Sequence, residues 1–436
     1  MRWAGLGWRL ALVAMVTVWL RGVAMGEAAP GAQAAAQAAP QPAVGAPQAA
    51  APGAAAKIPP APAPGPGAPP APREDLMGDL FGENLESEPG LRLAGTPNMF
   101  GDSFLNNGGA SVWIFLPPDP PSFPQATTLV EASLPLAGGS RRVKIGEDNL
   151  PLTQDRIHFM YNHFQNALQV DASGAVPGLP LQSFSVDRYT IGWEKTFLDR
   201  LWSVELRMPL ANGMDFATTD FGLSSGSVGN LAILLKRMVY QSDNMAVAAG
   251  LGIDTPTGSE VRGYLTPTSF VMRNQAVHLM PYIGLLEVPS ERLFYQCFLQ
   301  VDVPTNGNRV DYSDPVAGAG TFGVLSEATL LYADVSIGYW LFRDRPGRVL
   351  RGLAWLGELH YTTSLERPAA ISGTPSTIGF EFQSAANPID LLNLTVGLHA
   401  EIARCTTCRV AGVFPLRSGD DRAFDSEIQV QLQRRF

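Results

Sequence analysis

The chain has 436 residues, with 31 basic and 40 acidic side chains, and carries a formal net charge of −9. Only 16% of its residues are charged, compared with roughly 25% in an ordinary soluble domain. An acidic, charge-poor chain lacks the basic surface that nucleic-acid binding requires. No apolar run after the extreme N-terminus is long enough for a transmembrane helix, which excludes a multi-span helical membrane protein.

The N-terminus has the layout of a cleavable export signal, which we place at residues 1–26. A short basic start is followed by an apolar run at 10–20, and small residues stand at Ala24 and Gly26. This arrangement suits cleavage after Gly26. An uncleaved anchor is the alternative, but the apolar run is too short to span a bilayer.

Two further segments precede the regular part of the sequence. Residues 27–72 contain 13 prolines and only two charged residues, so they cannot bury enough apolar surface to offset the entropy of ordering. We predict a disordered Ala/Pro-rich tether there, with an extended Pro-rich half. Residues 73–124 show too little alternation for a strand prediction, and we expect an irregular segment that lies in the periplasm or acts as a plug.

Residues 125–436 show the alternation of β-strands that have one apolar and one polar face. The pattern is strict over 428–433 and over 392–399. Many of the runs exceed the length of about five or six residues that is typical of globular strands. They match the roughly nine to eleven residues of a membrane-spanning strand. A soluble secreted β-sandwich is a weaker alternative, since it would have to bury these apolar faces between two sheets.

We predict an all-β fold, a transmembrane antiparallel up-and-down barrel of about 12 strands, with a range of about 10 to 14 because residues 125–147 could add a hairpin. Connections after even-numbered strands are short, and most of those after odd-numbered strands are longer, as in outer-membrane barrels with long loops outside the cell. An even strand number puts both chain ends on the periplasmic side. The predicted strands are 155–167, 184–197, 201–211, 227–241, 245–254, 274–287, 292–303, 327–343, 348–363, 389–403, 409–416 and 424–436.

The export signal, the alternating strands and the terminal Phe436 resemble bacterial outer-membrane β-barrel proteins of the porin-like kind, found in Gram-negative envelopes. The tether with PNMFGDSF (97–104) and DRIHFMYNHF (155–164) is similar to uncharacterised porin-like barrels of planctomycetes. GLGIDTPTG (250–258) resembles barrels grouped with aromatic-degradation transporters. The resemblance implies that Phe436 is the insertion signal read by the barrel-insertion machinery, although Arg434 departs from the usual aromatic or apolar residue.

The polar faces of these strands supply the candidate lining of the barrel lumen. His360 and His399 fall on the polar faces of neighbouring strands, beside Glu358 and Glu401, so they could form a His/Glu cluster or simply make hydrogen bonds in the lumen. The predicted lumen-lining residues are Glu205, Arg207, Asp334, Glu358, His360, Asn393, His399, Glu401, Glu427, Gln429 and Gln431.

Motifs for catalysis or metal binding are absent from the sequence. There is no Gly-x-Ser-x-Gly, P-loop or His-Glu-x-x-His pattern, so we predict no enzyme activity, no metal site and no cofactor. Cys405 and Cys408 form a Cys-x-x-Cys pattern in a predicted periplasmic turn. Without a second pair for zinc, and in an oxidising compartment, a local disulfide is favoured over a metal or redox role.

Two functions fit these predictions. The first is an outer-membrane channel or porin-like transporter for small solutes, which would be selected by pore width and by the charge of the lining. The second is a closed structural barrel whose tether or loops bind a partner. The expected partners are outer-membrane lipid, the barrel-insertion machinery and small solutes, with no nucleic acid; a homo-oligomer is compatible with the sequence.

Overall fold

The computed structural model describes residues 93, 95–102, 110–118, 125–134, 142–175, 179–212, 215–343, 349–385, 388–402 and 405–436. The predicted signal peptide and Ala/Pro-rich tether lie outside these residues, as does the turn predicted at 344–347. Among the described residues no helix is long and apolar enough to cross a membrane.

Within the described ranges the chain forms β-strands and one short 3₁₀ helix, Gly419–Asp421. Numbered in chain order, the strands are β1 (Ala110–Leu116), β2 (Thr127–Leu134), β3 (Arg156–Asp171), β4 (Gln182–Phe197), β5 (Trp202–Ala211), β6 (Asp215–Ala217), β7 (Phe221–Ser225), β8 (Ala232–Gln241), β9 (Met245–Asp254), β10 (Val261–Leu265), β11 (Thr268–Met272), β12 (His278–Glu287), β13 (Leu293–Pro304), β14 (Asn308–Asp314), β15 (Gly318–Leu325), β16 (Leu330–Phe342), β17 (Leu350–Ser364), β18 (Ile371–Gly373), β19 (Gly379–Ser384), β20 (Asp390–Ile402), β21 (Thr406–Pro415) and β22 (Ser426–Arg435).

Twelve of these strands close into an antiparallel barrel. Their order around the barrel is β3, β4, β5, β8, β9, β12, β13, β16, β17, β20, β21 and β22. Closure is made by the last strand, which pairs with β3 from Ser426 opposite Gln165 to Arg435 opposite Arg156. Every one of the twelve predicted strands corresponds to one barrel strand. The predicted all-β barrel with 12 strands is therefore confirmed.

The barrel is apolar outside and polar inside. On β22, Glu427, Gln429 and Gln431 are at most 1% exposed, whereas Ile428 is 53% and Leu432 is 44% exposed. The same inversion recurs around the wall: every barrel strand except β5 carries exposed outward-facing apolar residues, and those of β5 are half-buried. A wall of this kind is stable only in contact with lipid. The strands, with 10 to 16 residues each, are long enough to cross the hydrocarbon core.

Some predicted boundaries are wrong. The predicted strand 274–287 begins only at His278, because Gln275 and Ala276 donate their backbone N–H groups to the Asn308 side chain instead of to a neighbouring strand. The predicted strand 409–416 begins earlier, at Thr406. Within 73–124, where we expected irregular structure, residues Ala110–Leu116 form strand β1.

The long loops, together with strands β1 and β2, build two sheets at the long-loop end of the barrel, which we call its outer end. Strands β6, β7, β10, β11, β14 and β15 form a separate six-stranded sheet. Strands β2, β1, β19 and β18 extend the barrel sheet from the outer end of β3, where Glu131 pairs with Asp171. The two sheets share one apolar core, in which the Phe270 ring lies 5.0 Å from that of Phe382. We call these two packed sheets the outer cap.

Candidate functional site

Two stretches of the N-terminal part of the chain run through the barrel lumen. The first covers residues 95–102 and the second 142–150, and we call the two together the plug. Leu93, at the start, packs among apolar residues near the short turns, whereas Arg142 lies near the outer end, beside Asp302. The chain thus ascends through the lumen, forms the β1–β2 hairpin in the outer cap, and descends again to the start of β3.

The plug stretches are held to each other and to the wall by backbone hydrogen bonds. The Met99 N–H donates to the Asn149 carbonyl at 2.8 Å. The N–H groups of Phe100 and Gly101 donate to the two carboxylate oxygens of Glu358, at 2.8 and 2.9 Å. A buried peptide group without a partner is costly, so Glu358 takes the place that a neighbouring strand would otherwise fill.

Side-chain amides of β22, three strands away from β17 around the wall, complete this pairing. The side chain of Gln429 donates to the Gly101 carbonyl at 2.9 Å, and that of Gln431 donates to the Phe100 carbonyl at 3.1 Å. Both glutamines were predicted to line the lumen. Their amides therefore bind the plug backbone.

A first cluster of charges joins the plug to strands β16, β17 and β20. The Lys144 ammonium contacts the carboxylates of Asp102 and of Asp334, the latter at 2.8 Å. The His360 Nδ1 lies 2.9 Å from Asp334, and Asn393 donates to Asp102 at 2.7 Å. All five side chains are buried. The lysine of the plug is therefore neutralised by one carboxylate of the plug and one of the wall.

This cluster contains the one three-ligand arrangement suited to a metal ion that we find in the described part of the chain, formed by Asp102, Asp334 and His360. The Lys144 ammonium contacts both of these carboxylates. A cation of the protein thus supplies the positive charge that a metal ion would bring. The chemistry of the cluster is that of a structural ion-pair network.

A second cluster of charges lies on the β3, β4 and β5 side of the lumen. The guanidinium of Arg156 reaches Asp148 of the plug at 3.1 Å, Glu194 at 2.8 Å and Glu205 at 3.1 Å. Arg409 of β21 pairs with the same Asp148 at 2.7 Å. Asp148 therefore connects β3 and β21, which are two strands apart in the wall, through the plug. Buried charges are stable only when they are paired in this way.

A third cluster lies at the outer end of the lumen. Arg142 of the plug is 3.5 Å from Asp302 and 3.4 Å from Glu327. His278 is 2.8 Å from the same Asp302, and Asn308 donates to Glu327 at 2.6 Å. The plug is thus bound by ion pairs at three levels along the barrel axis.

The structure places the sequence-predicted residues on the inner wall. Glu401 is half-buried and the others are buried, namely Glu205, Arg207, Asp334, Glu358, His360, Asn393, His399, Glu427, Gln429 and Gln431. The possible His360/His399 cluster is not formed. His360 is opposite Asn393 in the β17–β20 register, six residues from His399, and His399 instead lies edge-on to the Trp340 ring at 5.7 Å.

Sequence reasoning missed the plug residues and several of their partners. Asp102, Lys144 and Asp148 lie outside the predicted strands, so no alternation pointed to them. Arg156 and Lys236 do fall at inward positions of predicted strands, each with an apolar residue on one side and a charged residue on the other. Their position on the inward face of the alternation is the signal that could have found them.

The predicted disulfide between Cys405 and Cys408 is not formed, and both are free thiols. The turn ends earlier than predicted, so Cys408 lies within β21 and Cys405 immediately precedes that strand. Three residues of extended chain span about 10 Å, whereas the Cα atoms of a disulfide are at most about 7 Å apart. The backbone conformation therefore keeps the thiols apart.

At the C-terminus, the Phe436 ring lies below the Lys195 ammonium, 5.2 Å from it. Its N–H donates to the Asp155 carbonyl at 3.2 Å. These contacts tie the terminal residue to the start of the first barrel strand and to β4 at the short-turn end.

No family model and no curated protein matches the sequence. Solved structures do match. The chain is similar to the NanC porin, with 9% identity, a TM-score of 0.34 and coverage of 65% of this chain and 98% of that one. It is also similar to an outer membrane channel from Pseudomonas putida F1, with 11% identity, a TM-score of 0.38 and coverage of 68% and 100%. A KdgM porin structure matches at 9% identity and a TM-score of 0.31, with coverage of 64% and 99%.

Proposed function

We propose that the protein is an outer-membrane channel for small solutes whose lumen is obstructed by the plug. One observation carries the proposal: the material that fills the lumen belongs to the N-terminal segment and is held by non-covalent contacts. About eight strands make a barrel that its own side chains can fill. A barrel of twelve encloses more space, which here is occupied by residues 95–102 and 142–150.

A polar wall is the second support for a channel. If the plug moves, the surfaces left behind carry Glu358, Gln429, Gln431 and their neighbours, which are polar and can be hydrated. A purely structural barrel could fill its interior with apolar side chains, because replacing buried ion pairs by apolar residues is often neutral or stabilising. Retaining the charges therefore favours an interior that meets water and solute.

The proposal includes the remaining steps that the sequence predicts. The chain is exported on the signal peptide at 1–26, the tether stays in the periplasm, and Phe436 directs insertion into the outer membrane. The lumen-lining residues select the solute by size and charge, without catalysis and without a cofactor. Acidic residues in or beside the long loops, among them Asp215, Asp220 and Glu260, favour cations at the outer mouth.

The test is single-channel conductance of the purified mature chain in a planar bilayer, with a heat-unfolded sample as the control. We expect small or rare steps from the native chain. The variant Lys144→Gln/Asp148→Asn, which removes ion pairs between plug and wall, should give larger or more frequent steps. In a salt gradient these steps should show preference for cations.

Arg422→Gln is the matched control, since it breaks an exposed ion pair, with Asp425 at 2.7 Å, that does not involve the plug. It should behave as the native chain does. A silent bilayer for all variants, from protein shown to be folded, would contradict the channel and leave the structural barrel.

A further inference from the structure

An open groove of about 380 Å³ lies on the outer cap, on the side of strands β1, β2 and β19 that faces away from the cap core. It is separate from the lumen and its plug. Its lining residues are Trp113, Phe115, Ala126, Thr128, Glu381 and Gln383.

Strand alternation explains why these side chains point outward. Val112 and Ile114 on β1, and Phe380 and Phe382 on β19, are fully buried in the cap core. The residues between them must face the other side of the sheet. The groove is therefore built on a rigid, well-packed sheet, although its own side chains remain accessible.

The register brings aromatic and polar groups together. Trp113 is directly opposite Glu381, and Phe115 is opposite Gly379. The Phe115 ring lies against this glycine so closely that a Cβ there would be 2.5 Å from a ring atom. Because Gly379 has no side chain, the Phe115 ring packs onto the strand backbone. The result is a shallow aromatic surface beside the Glu381 carboxylate.

The chemistry of the lining selects one class of ligand. The aromatic rings on β1 offer apolar faces, and donors and acceptors flank them on both sides: the Glu381 carboxylate and the Gln383 amide on β19, and the Thr128 hydroxyl on β2. A sugar ring has this combination, with C–H groups on its faces and hydroxyls around its rim. Among the described residues no basic side chain lines the groove, and the carboxylate would repel an anion. An added peptide strand is excluded at β1, since both edges of this strand are already paired.

We propose that this groove is a binding site for a neutral oligosaccharide at the outer face of the protein. Trp113 and Phe115 stack against sugar rings, while Glu381 and Gln383 hydrogen-bond to the hydroxyls. A groove of this volume is within the range of small-molecule sites and accommodates one or two sugar units of a longer chain. The site does not depend on whether the lumen conducts.

The experiment is calorimetric titration of the full mature chain, in detergent, with maltohexaose, cellohexaose and laminarihexaose. At least one of them should bind, and Trp113→Ala should weaken that binding about tenfold or more, the effect of losing one stacking contact. Trp113→Phe should restore most of the affinity. Glu381→Gln, which keeps the shape, should cause a smaller loss.

Tyr240→Ala is the matched control, because this 53% exposed aromatic residue stands at the opposite, short-turn end of the barrel. It should bind as the native chain does. Absence of binding by all three sugars at millimolar concentration would overturn the proposal. So would equal affinity of Trp113→Ala and native protein, since the sugar would then be bound elsewhere, such as in the lumen. Conductance of the same variants should be unchanged, which separates this site from the channel.

Discussion

Gly101 and Glu147 are in direct contact where the two stretches of the plug lie side by side. A Cβ added to Gly101 would be 2.5 Å from the Cα of Glu147. Gly101 also has a φ of +77°, a conformation that residues with a side chain rarely adopt. Both the close approach and the backbone conformation therefore require glycine at this point of the lumen.

Gly101→Ala should loosen the plug while leaving the barrel strands intact. The added methyl group forces the two stretches apart, so channel openings should become more frequent in the planar bilayer. Gly318→Ala is the control: Gly318 has a similar φ of +79°, but nothing lies within 4 Å of its added Cβ. In both variants the alanine must adopt a positive φ, which costs about 1–2 kcal/mol. Equal conductance in the two would contradict the proposed contact.

Lys144→Met should destabilise the lumen strongly. It leaves the buried carboxylates of Asp102 and Asp334 without their shared cation, and removing one partner of a buried ion pair costs about 3–5 kcal/mol. Chemical denaturation followed by tryptophan fluorescence should show this loss. Lys195→Met provides the comparison, since Lys195 pairs with Asp155 at the surface and such pairs contribute about 0–1 kcal/mol. Similar midpoints for both variants would argue against the lumen cluster.

Acid should destabilise the outer cap through Asp314. A hydrogen bond from Thr268, together with the backbone N–H groups of Ala317 and Val316, lowers the pKa of Asp314 to about 2. A carboxylate with a depressed pKa stabilises the fold above its unfolded pKa, and this contribution is lost as the pH falls from about 4 to about 2. In limited proteolysis with pepsin, with each rate divided by that for an unstructured peptide at the same pH, the β14–β15 turn should therefore be cut faster at pH 2 than at pH 4.

The Asp314→Asn variant is the control for this pH effect. Its β14–β15 turn should be cut at pH 4 as readily as that of the native chain at pH 2, and it should show little further change between the two values. A native-like pH dependence in this variant would mean that another group titrates.

The thiols of the chain should all be free. Alkylation of the unfolded chain under non-reducing conditions should add three labels, one each at Cys297, Cys405 and Cys408. Mass spectrometry of the intact chain measures this directly. A single label, rising to three after reduction, would show that Cys405 and Cys408 are bonded in spite of the extended backbone between them.

The wall of the barrel was predictable from the sequence because alternation is a local property. Glu427, Gln429 and Gln431 could be assigned to the interior from neighbouring residues alone. The plug could not, since its contacts join distant parts of the chain: Asn98 and Gln433, for example, form a hydrogen bond across 335 positions. The strands of the outer cap could not be predicted either, because they are short and pair with strands from other loops.

The path of the N-terminal segment has a consequence for the order of assembly. Both ends of the β1–β2 hairpin lead into the lumen, and the hairpin itself is fixed in the outer cap by pairing with β3 and β19. Once β22 has paired with β3, the hairpin would have to be pulled through a closed ring of strands to reach this place. The seam between the first and last barrel strands must therefore close after the hairpin has passed. During assembly the barrel wall therefore forms around an N-terminal segment that is already in place. The pairing of β22 with β3 is then the last step.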